Sequence, residues 1–345
     1  MAGLTAAARA RELGARPVVL EKGTRAGGSM LLSSGVVWRH RTLEEFRSEC
    51  PAGDEVLQRA VVEELDDALD WLESLGAEPV TRETGNPLTV GRRYDPRALT
   101  DALVRASGDA VLLEAPFAEA QILATGGFGA RLARERGFLL RANPWSEGDG
   151  LDHGVALGAA TTAGMDEFYG RVLPVQVGEE SYVSAAQLYA RFALVVDDQG
   201  RDLGEPAWHE SDLAQRLPGG RAWYVVDQRA LLERVRGRTV AAMVEAARAA
   251  GGDVRRADEL PFALPTSPKL ARPPFVAVRV RTAVTHSIGG LRIDERARVL
   301  DRRGAPIPGL HAAGADAGGI FAGGYGSGLA AALVFGRLAA ETALA

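Results

Sequence analysis

The stretch Thr285–Ala345, THSIGGLRIDERARVLDRRGAPIPGLHAAGADAGGIFAGGYGSGLAAALVFGRLAAETALA, decides the reading of this chain. His286 stands just before a Gly-Gly pair. Further on, Gly314, Gly318, Gly319, Gly323, Gly324, Gly326 and Gly328 lead from a short apolar strand into an Ala/Leu helix. Glycine-dense backbone before a helix lets N–H groups approach an anionic or planar ligand closely, with the positive end of the helix dipole behind them. A flexible surface loop is the alternative, and the rest of the chain decides between the two.

The 345 residues suggest about two domains. With 46% hydrophobic and 25% charged residues, the chain can bury a real core. Its 41 glycines cluster in short motifs, which points to ligand-binding loops. A formal net charge of -5 gives no pull toward nucleic acid. A single cysteine, Cys50, excludes an internal disulfide framework and a thiolate metal cluster, and no metal site is expected. No apolar run is long enough to span a bilayer and no signal segment opens the chain, so a cytoplasmic protein is the expectation.

Upstream, Ala2 to Leu13 reads as a small-residue helix closed by Gly14, followed by a strand, Pro17 to Leu20, that runs into Glu21. In a dinucleotide-binding unit, an acid at the end of the second strand bonds the ribose hydroxyls. Gly3 and Glu21 have about the separation of the third glycine of G-x-G-x-x-G and that acid, although a surface glutamate also fits the pattern. RAGGSMLLSSGV, residues 25–36, is a second glycine/serine loop, with Ser29, Ser33 and Ser34 as hydroxyl donors. Apolar residues at three- and four-residue spacing predict a helix over 55–75, and Asp95-Pro96 predicts the start of another. QILATGGFG, residues 121–129, is a strand entering a Gly-Gly turn, and Asp149 opens an Ala/Leu helix, either as its cap or as a ligand contact. Tyr169 and Arg171 lie on an extended segment. Beyond them the chain becomes more charged, with strands at 192–197 and 223–227, a helix near 239–250, and a proline-rich return at LPTSPKLARPP.

Read together, VVLEKG, GGSMLLSSG, ATGGFG, GDG and THSIGGL…PGLHAAGADAGG make the chain resemble the fumarate reductase/succinate dehydrogenase flavoproteins, nearest the soluble tricarballylate-dehydrogenase-like and 3-ketosteroid-dehydrogenase-like branch. The resemblance implies an α/β fold, a Rossmann-like FAD/NAD(P)-binding domain with an inserted α+β capping domain and the active site at their junction. The boundaries it suggests are 1–168 and 274–345 for the FAD domain and 169–273 for the cap. It assigns cofactor contacts to Gly3, Glu21, Lys22, Gly27, Gly28, Ser29, Ser34, Gly35, Thr125, Gly126, Gly127, Asp149, Gly314, Asp316, Ser327, Gly328 and Leu329. FAD would be non-covalent, because residues 25–35 contain no histidine to attach it. Hydride transfer would run between flavin N5 and a carbon beside a carboxylate or ketone. His286 matches the histidine that polarises the substrate; Arg171 stands where relatives often carry another histidine; Tyr169 and Tyr325 are further pocket candidates.

The chain also departs from the family pattern. The first strand and most of G-x-G-x-x-G are missing, as from a shortened frame. The proton-donating arginine of the cap has no clear counterpart, and His209 and Arg216 are the candidates nearby. The expected partners are a small carboxylate or enone/ketone substrate and an electron donor or acceptor. The competing reading is a truncated, non-catalytic scaffold that binds flavin or a partner.

Overall fold

The computed structural model describes residues 1–207 and 210–345. In chain order the elements begin α1 (Ala2–Glu12), β1 (Val19–Leu20), α2 (Gly28–Leu31), β2 (Val36–His40), α3 (Leu43–Glu49), α4 (Glu55–Ser74), β3 (Thr89–Arg93) and α5 (Pro96–Ser107). Then come β4 (Val111–Leu112), β5 (Ile122–Leu123), α6 (Gly129–Arg136), β6 (Leu139–Leu140), α7 (Asp149–Ala156), β7 (Phe168–Leu173), β8 (Leu194–Val196) and α8 (Ser211–Arg216). The rest are β9 (Arg221–Val226), β10 (Arg234–Val235), β11 (Arg238–Thr239), α9 (Val240–Ala249), β12 (Val254–Arg256), β13 (Val276–Ser287), β14 (Arg298–Leu300), β15 (Pro306–Ala312) and α10 (Gly328–Ala343). Two compact units result. The first holds Met1–Arg131, Ala142–Phe168 and His286–Ala345; the second holds Leu132–Arg141 and Tyr169–Thr285.

In the first unit, α1 packs along α10 and α5, and α10 also packs on α4. The predicted helix over 55–75 is α4. Its Asp54 cap accepts from Val56 and Leu57 N–H, and Leu65, Leu69 and Leu72 are fully buried. Each such side chain contributes roughly 1.5–3 kcal/mol by leaving water. Asp95 caps α5 in the same way, with Pro96 in the first turn. The small side chains of α1 let it approach α10: Ala6, Ala10 and Ala340 form one buried cluster.

The parallel sheet of this unit is in two pieces. β1 pairs in parallel with β4, while β5 pairs in parallel with β15, whose other edge carries antiparallel β14. Among the described residues no strand pairs with the second edge of β1 or of β5. That is why β1 is only two residues long where four were expected, and why Val18 and Leu20 stay 66% and 40% exposed.

A separate antiparallel pair, β2–β3, shapes the loop that follows α2. There the Gly35 carbonyl accepts from Tyr94 N–H, and Gly35 has φ +69 with its Cβ position overlapping the Tyr94 carbonyl oxygen. Gly35→Ala is expected to cost about 2 kcal/mol or more. Gly85→Ala, at φ +78 with open space around it, isolates the backbone part, about 1 kcal/mol. Urea midpoints of the two variants measure the difference.

The second unit is built on a six-stranded sheet in the order β12-β13-β9-β8, with β6 and β7 also paired to β13. One face buries Tyr189, Val195, Tyr224, Val226, Met243, Val278 and Val280 beneath α9. Thr239 caps α9 through Ala242 N–H. Buried Asp227 accepts from Ala230, Ala271 and Arg272 N–H, pinning the proline-rich return to the end of β9. The chain leaves the first unit after Phe168 and returns at Thr285–His286. The cause is β13, which runs unbroken from Val276 to Ser287. Leu132–Arg141 also belongs to the second unit, because β6 pairs in parallel with β13 through Leu139↔Ala283 and Leu140↔Val284.

Candidate functional site

His286 is the next-to-last residue of β13 and lies in the first unit, beside the start of α10. A Cβ on Gly328 would lie 3.2 Å from the imidazole Cε1, so a side chain there would push the ring by a few tenths of an ångström. Phe321 meets the ring edge-on at 6.4 Å between centroids. The imidazole is half-buried and makes no hydrogen bond to the described residues. Burial pushes its pKa down to about 4. Near neutral pH His286 is therefore an uncharged imidazole, able to donate one N–H to a ligand oxygen.

The next residue joins this histidine to the glycine turn after β5. Ser287 Oγ accepts from Phe128 N–H at 3.4 Å, and a Cβ on Gly127 would come within 2.5 Å of the same oxygen. Asp316 fastens the other side of the turn. It is fully buried and accepts from Thr125 N–H, from Thr125 Oγ1 at 3.0 Å and from Gly127 N–H at 3.1 Å. Burial raises its pKa, and the Thr125 and Gly127 bonds oppose the rise. Thr125 Oγ1 in turn accepts from Gly150 N–H at 3.1 Å, linking the turn to α7. Asp316 thus shapes Thr125–Gly127 from within and spends its carboxylate on the backbone. Gly314 lies just before it, against Ala2 of α1.

Further candidates lie in this unit. Lys22 Nζ pairs with Asp149 Oδ2 at 2.8 Å, joining the loop after β1 to the first residue of α7. The cap of α7 is Gly148, so Asp149 is not the N-cap. Ser29, just past Gly27 and Gly28, accepts from Asn143 N–H at 3.1 Å. Ser327 caps α10, accepting from Ala330 N–H at 3.3 Å and Trp38 N–H at 3.4 Å, and Gly328 and Leu329 form the helix's first turn. Glu21 turns back on its own loop, with Oε1 accepting from Gly23 N–H at 2.7 Å. Gly3 lies in the first turn of α1 facing Ala124, and Ser34 is exposed.

The first unit also uses residues that sequence reasoning did not single out. Glu167 accepts from Gly323 N–H at 2.7 Å and holds down the glycine loop before α10. Trp38, His40, Phe46 and Phe321 form a buried aromatic file, with Tyr325 against Trp38 at 5.4 Å. The scattered aromatics carried no periodic signal that would have grouped them. Cys50 lies beside this file, and burial pushes its thiol up to about 12.

In the second unit, Arg171 is buried on β7 and donates Nε–H to Tyr169 Oη at 2.9 Å, with its guanidinium 5.2 Å over that ring. Arg216 is exposed at the end of α8 and donates to the carbonyls of Leu203 and Glu205. His209 lies outside the described residues.

Glycine turns ahead of helix starts, as in the first unit, are backbone of the kind that holds a nucleotide cofactor. The chain belongs to the FAD binding domain family, which matches residues 1–115 and 113–328. It is 24% identical to "Probable fumarate reductase Ifc3" of Shewanella frigidimarina (strain NCIMB 400) over 434 aligned positions, covering 99% of this chain and 73% of that protein. Its fold is similar to the open conformation of a flavocytochrome c3 fumarate reductase, at TM-score 0.69 and 22% identity over 99% of this chain and 76% of that one. It is also similar to 3-ketosteroid-delta4-(5alpha)-dehydrogenase from Rhodococcus jostii RHA1, at TM-score 0.70 and 19% identity over 99% and 94%. FAD is the cofactor of this family, and the residues here fit it. A Cβ on Gly127 would strike Ser287 Oγ and the Ala315 carbonyl oxygen, so the turn after β5 stays bare peptide, and α10 presents its first-turn N–H groups beside His286. Among the described residues no helix is long and apolar enough to cross a membrane, and no group of three His, Cys, Asp or Glu could hold a metal.

Proposed function

We propose that the chain is an FAD-dependent oxidoreductase acting on a C–C bond next to a carboxylate or ketone. FAD, held without a covalent link, would supply the hydride chemistry. The carrying observation is the neutral, half-buried His286 at the glycine-lined start of α10. Its N–H would bind the substrate carbonyl or carboxylate oxygen and stabilise enolate charge as it develops. The α10 dipole adds to that stabilisation. Lys22, Asp149, Ser29, Thr125–Gly127 and Ser327 would hold the cofactor through backbone and side-chain donors. Glu21, Gly3, Ser34, Gly35, Gly314, Asp316 and Leu329 would shape the same cradle. Arg171, stacked on Tyr169, would bind a substrate carboxylate. His209 and Arg216 remain the candidates for proton delivery. An electron donor or acceptor and a cytoplasmic setting belong to this reading.

The relatives support both substrate types, since one is named for fumarate and another for a ketosteroid. Arg171 favours the carboxylate. Arg171→Met is expected to raise KM for a carboxylate substrate about a hundredfold, while changing it little for a ketosteroid. The wider test is the colour of the purified protein and anaerobic reduction or reoxidation of its flavin by succinate, fumarate, tricarballylate and 3-ketosteroids. A yellow protein whose flavin responds to one of them is the expected result. The divided sheet, with open edges on β1 and β5, favours a second reading: a scaffold that does not turn over. A colourless protein that cannot be reconstituted with FAD would select it.

A further inference from the structure

The turn that leads into α7 has no place in the reading above, yet it touches three of the glycine motifs. Trp145 lays its ring against Gly23, where an added Cβ would meet ring carbons Cζ3 and Cε3 at 2.7 and 2.8 Å and Glu21 Oε1 at 3.1 Å. Ser146 is 1% exposed and its Oγ has no hydrogen-bond partner; a Cβ on Gly126 would stand 3.1 Å from that oxygen. Asn143 is the pivot of the turn. Its N–H donates to Ser29 Oγ, its carbonyl accepts from Ser146 N–H, and its Oδ1 accepts from Trp145 N–H, each at 3.1 Å.

The last of these bonds fixes which way the side-chain amide points. A backbone N–H can bond only to the amide oxygen, so the NH₂ group is turned the other way. It faces the loop after β1: a Cβ on Gly28 would lie 3.3 Å from Nδ2. Asn143 is 7% exposed, and its Nδ2–H donors meet no acceptor among the described residues. A held, buried donor thus stands over peptide that carries no side chain.

Resting on the reading of Gly27, Gly28 and Ser29 as cofactor contacts, we propose that Asn143 is a cofactor-binding residue whose Nδ2–H donors bond a pyrophosphate oxygen of FAD over Gly28. An anionic oxygen is the acceptor that gains most from such a donor, because a hydrogen bond to an ionised partner is roughly twice as strong as a neutral one. Glycine at position 28 leaves the oxygen room between peptide and amide. Riboflavin carries no phosphate, so Asn143 favours FAD over it.

The test is calorimetric titration of the full chain, freed of flavin, with FAD, ADP and riboflavin. Asn143→Asp keeps the side-chain size and the oxygen that Trp145 N–H needs, but turns the donor into an anion. Asn143→Ser keeps an acceptor for the turn and only removes the donor. The wild type is expected to bind ADP, and to bind FAD more tightly than riboflavin. Asn143→Asp should raise Kd for FAD and ADP about a hundredfold, an effect eased by added salt, and Asn143→Ser about tenfold. Riboflavin affinity and urea midpoint should hold in both. A residue that merely braces the turn predicts wild-type binding of FAD and ADP by both variants, and that result overturns the proposal. So does a loss of riboflavin affinity in step with FAD, which would put the amide on the flavin ring. If the wild type binds no ADP and holds FAD no more tightly than riboflavin, the cofactor reading of the Gly27–Ser29 loop has itself failed. ADP binding that is unchanged from wild type to Asn143→Asp and Asn143→Ser defeats the Asn143 inference alone.

Discussion

His286→Ala is expected to lower turnover by about two to three orders of magnitude while flavin content and urea midpoint hold. Removing one preorganised donor to a developing oxyanion typically has that effect. Nothing in the first unit leans on the imidazole for a hydrogen bond, so the fold should tolerate its loss. His286→Gln, which restores a donor, should recover part of the rate. The pH dependence carries a separate signature. With its pKa near 4, His286 should put no inflection in kcat/KM between pH 5.5 and 8. Because that value lies below the ordinary histidine value near 6.5, the folded state favours the neutral ring. The stability this provides is present above pH 6.5 and is lost as pH falls toward 4. His286→Gln should flatten that part of the acid-stability curve. Unchanged turnover in the alanine variant would remove His286 from the chemistry, and an inflection that disappears with it near pH 6.5 would show an ordinary, solvated imidazole.

Gly127→Val is expected to abolish flavin binding and to destabilise the chain by several kcal/mol. At φ +70 the backbone is one that side chains disfavour, and the added Cβ would meet Ser287 Oγ at 2.5 Å and the Ala315 carbonyl oxygen at 2.8 Å. Relief requires the turn to move off Asp316. That leaves a buried carboxylate short of donors, at about 1.5–3 kcal/mol for each bond lost. Asp316→Asn keeps the shape but sets an amide N–H₂ against backbone N–H donors, and should reproduce part of the loss. Bound flavin per protein, read from the visible absorbance, together with urea midpoints, measures both. A Gly127→Val protein that stays yellow and stable would show that the close approach at this turn is dispensable.

Features set by near neighbours were legible in the sequence. The 3.6-residue pattern of α4, the Asp95-Pro96 start of α5, and the glycine run into α10 all lie within a few residues of what they determine. The return point at Thr285–His286 did not show, because proline-rich composition marks a bend but not where a later strand stops pairing. The membership of Leu132–Arg141 was hidden for a similar reason: it depends on pairing with residues more than 140 positions away. Asp316 was read at its position, but the direction of its carboxylate depends on Thr125 and Gly127, far upstream.

The two-piece sheet bears on handling the protein in bulk. An uncovered strand rim flanked by Val18 and Leu20, with Leu112 and Leu113 close by on the adjoining strand, is a sticky template for another polypeptide. Shelf life in concentrated solution should therefore be governed by clumping through this rim well before the folded state melts, and a lysine in place of Val18 is the place to begin improving it.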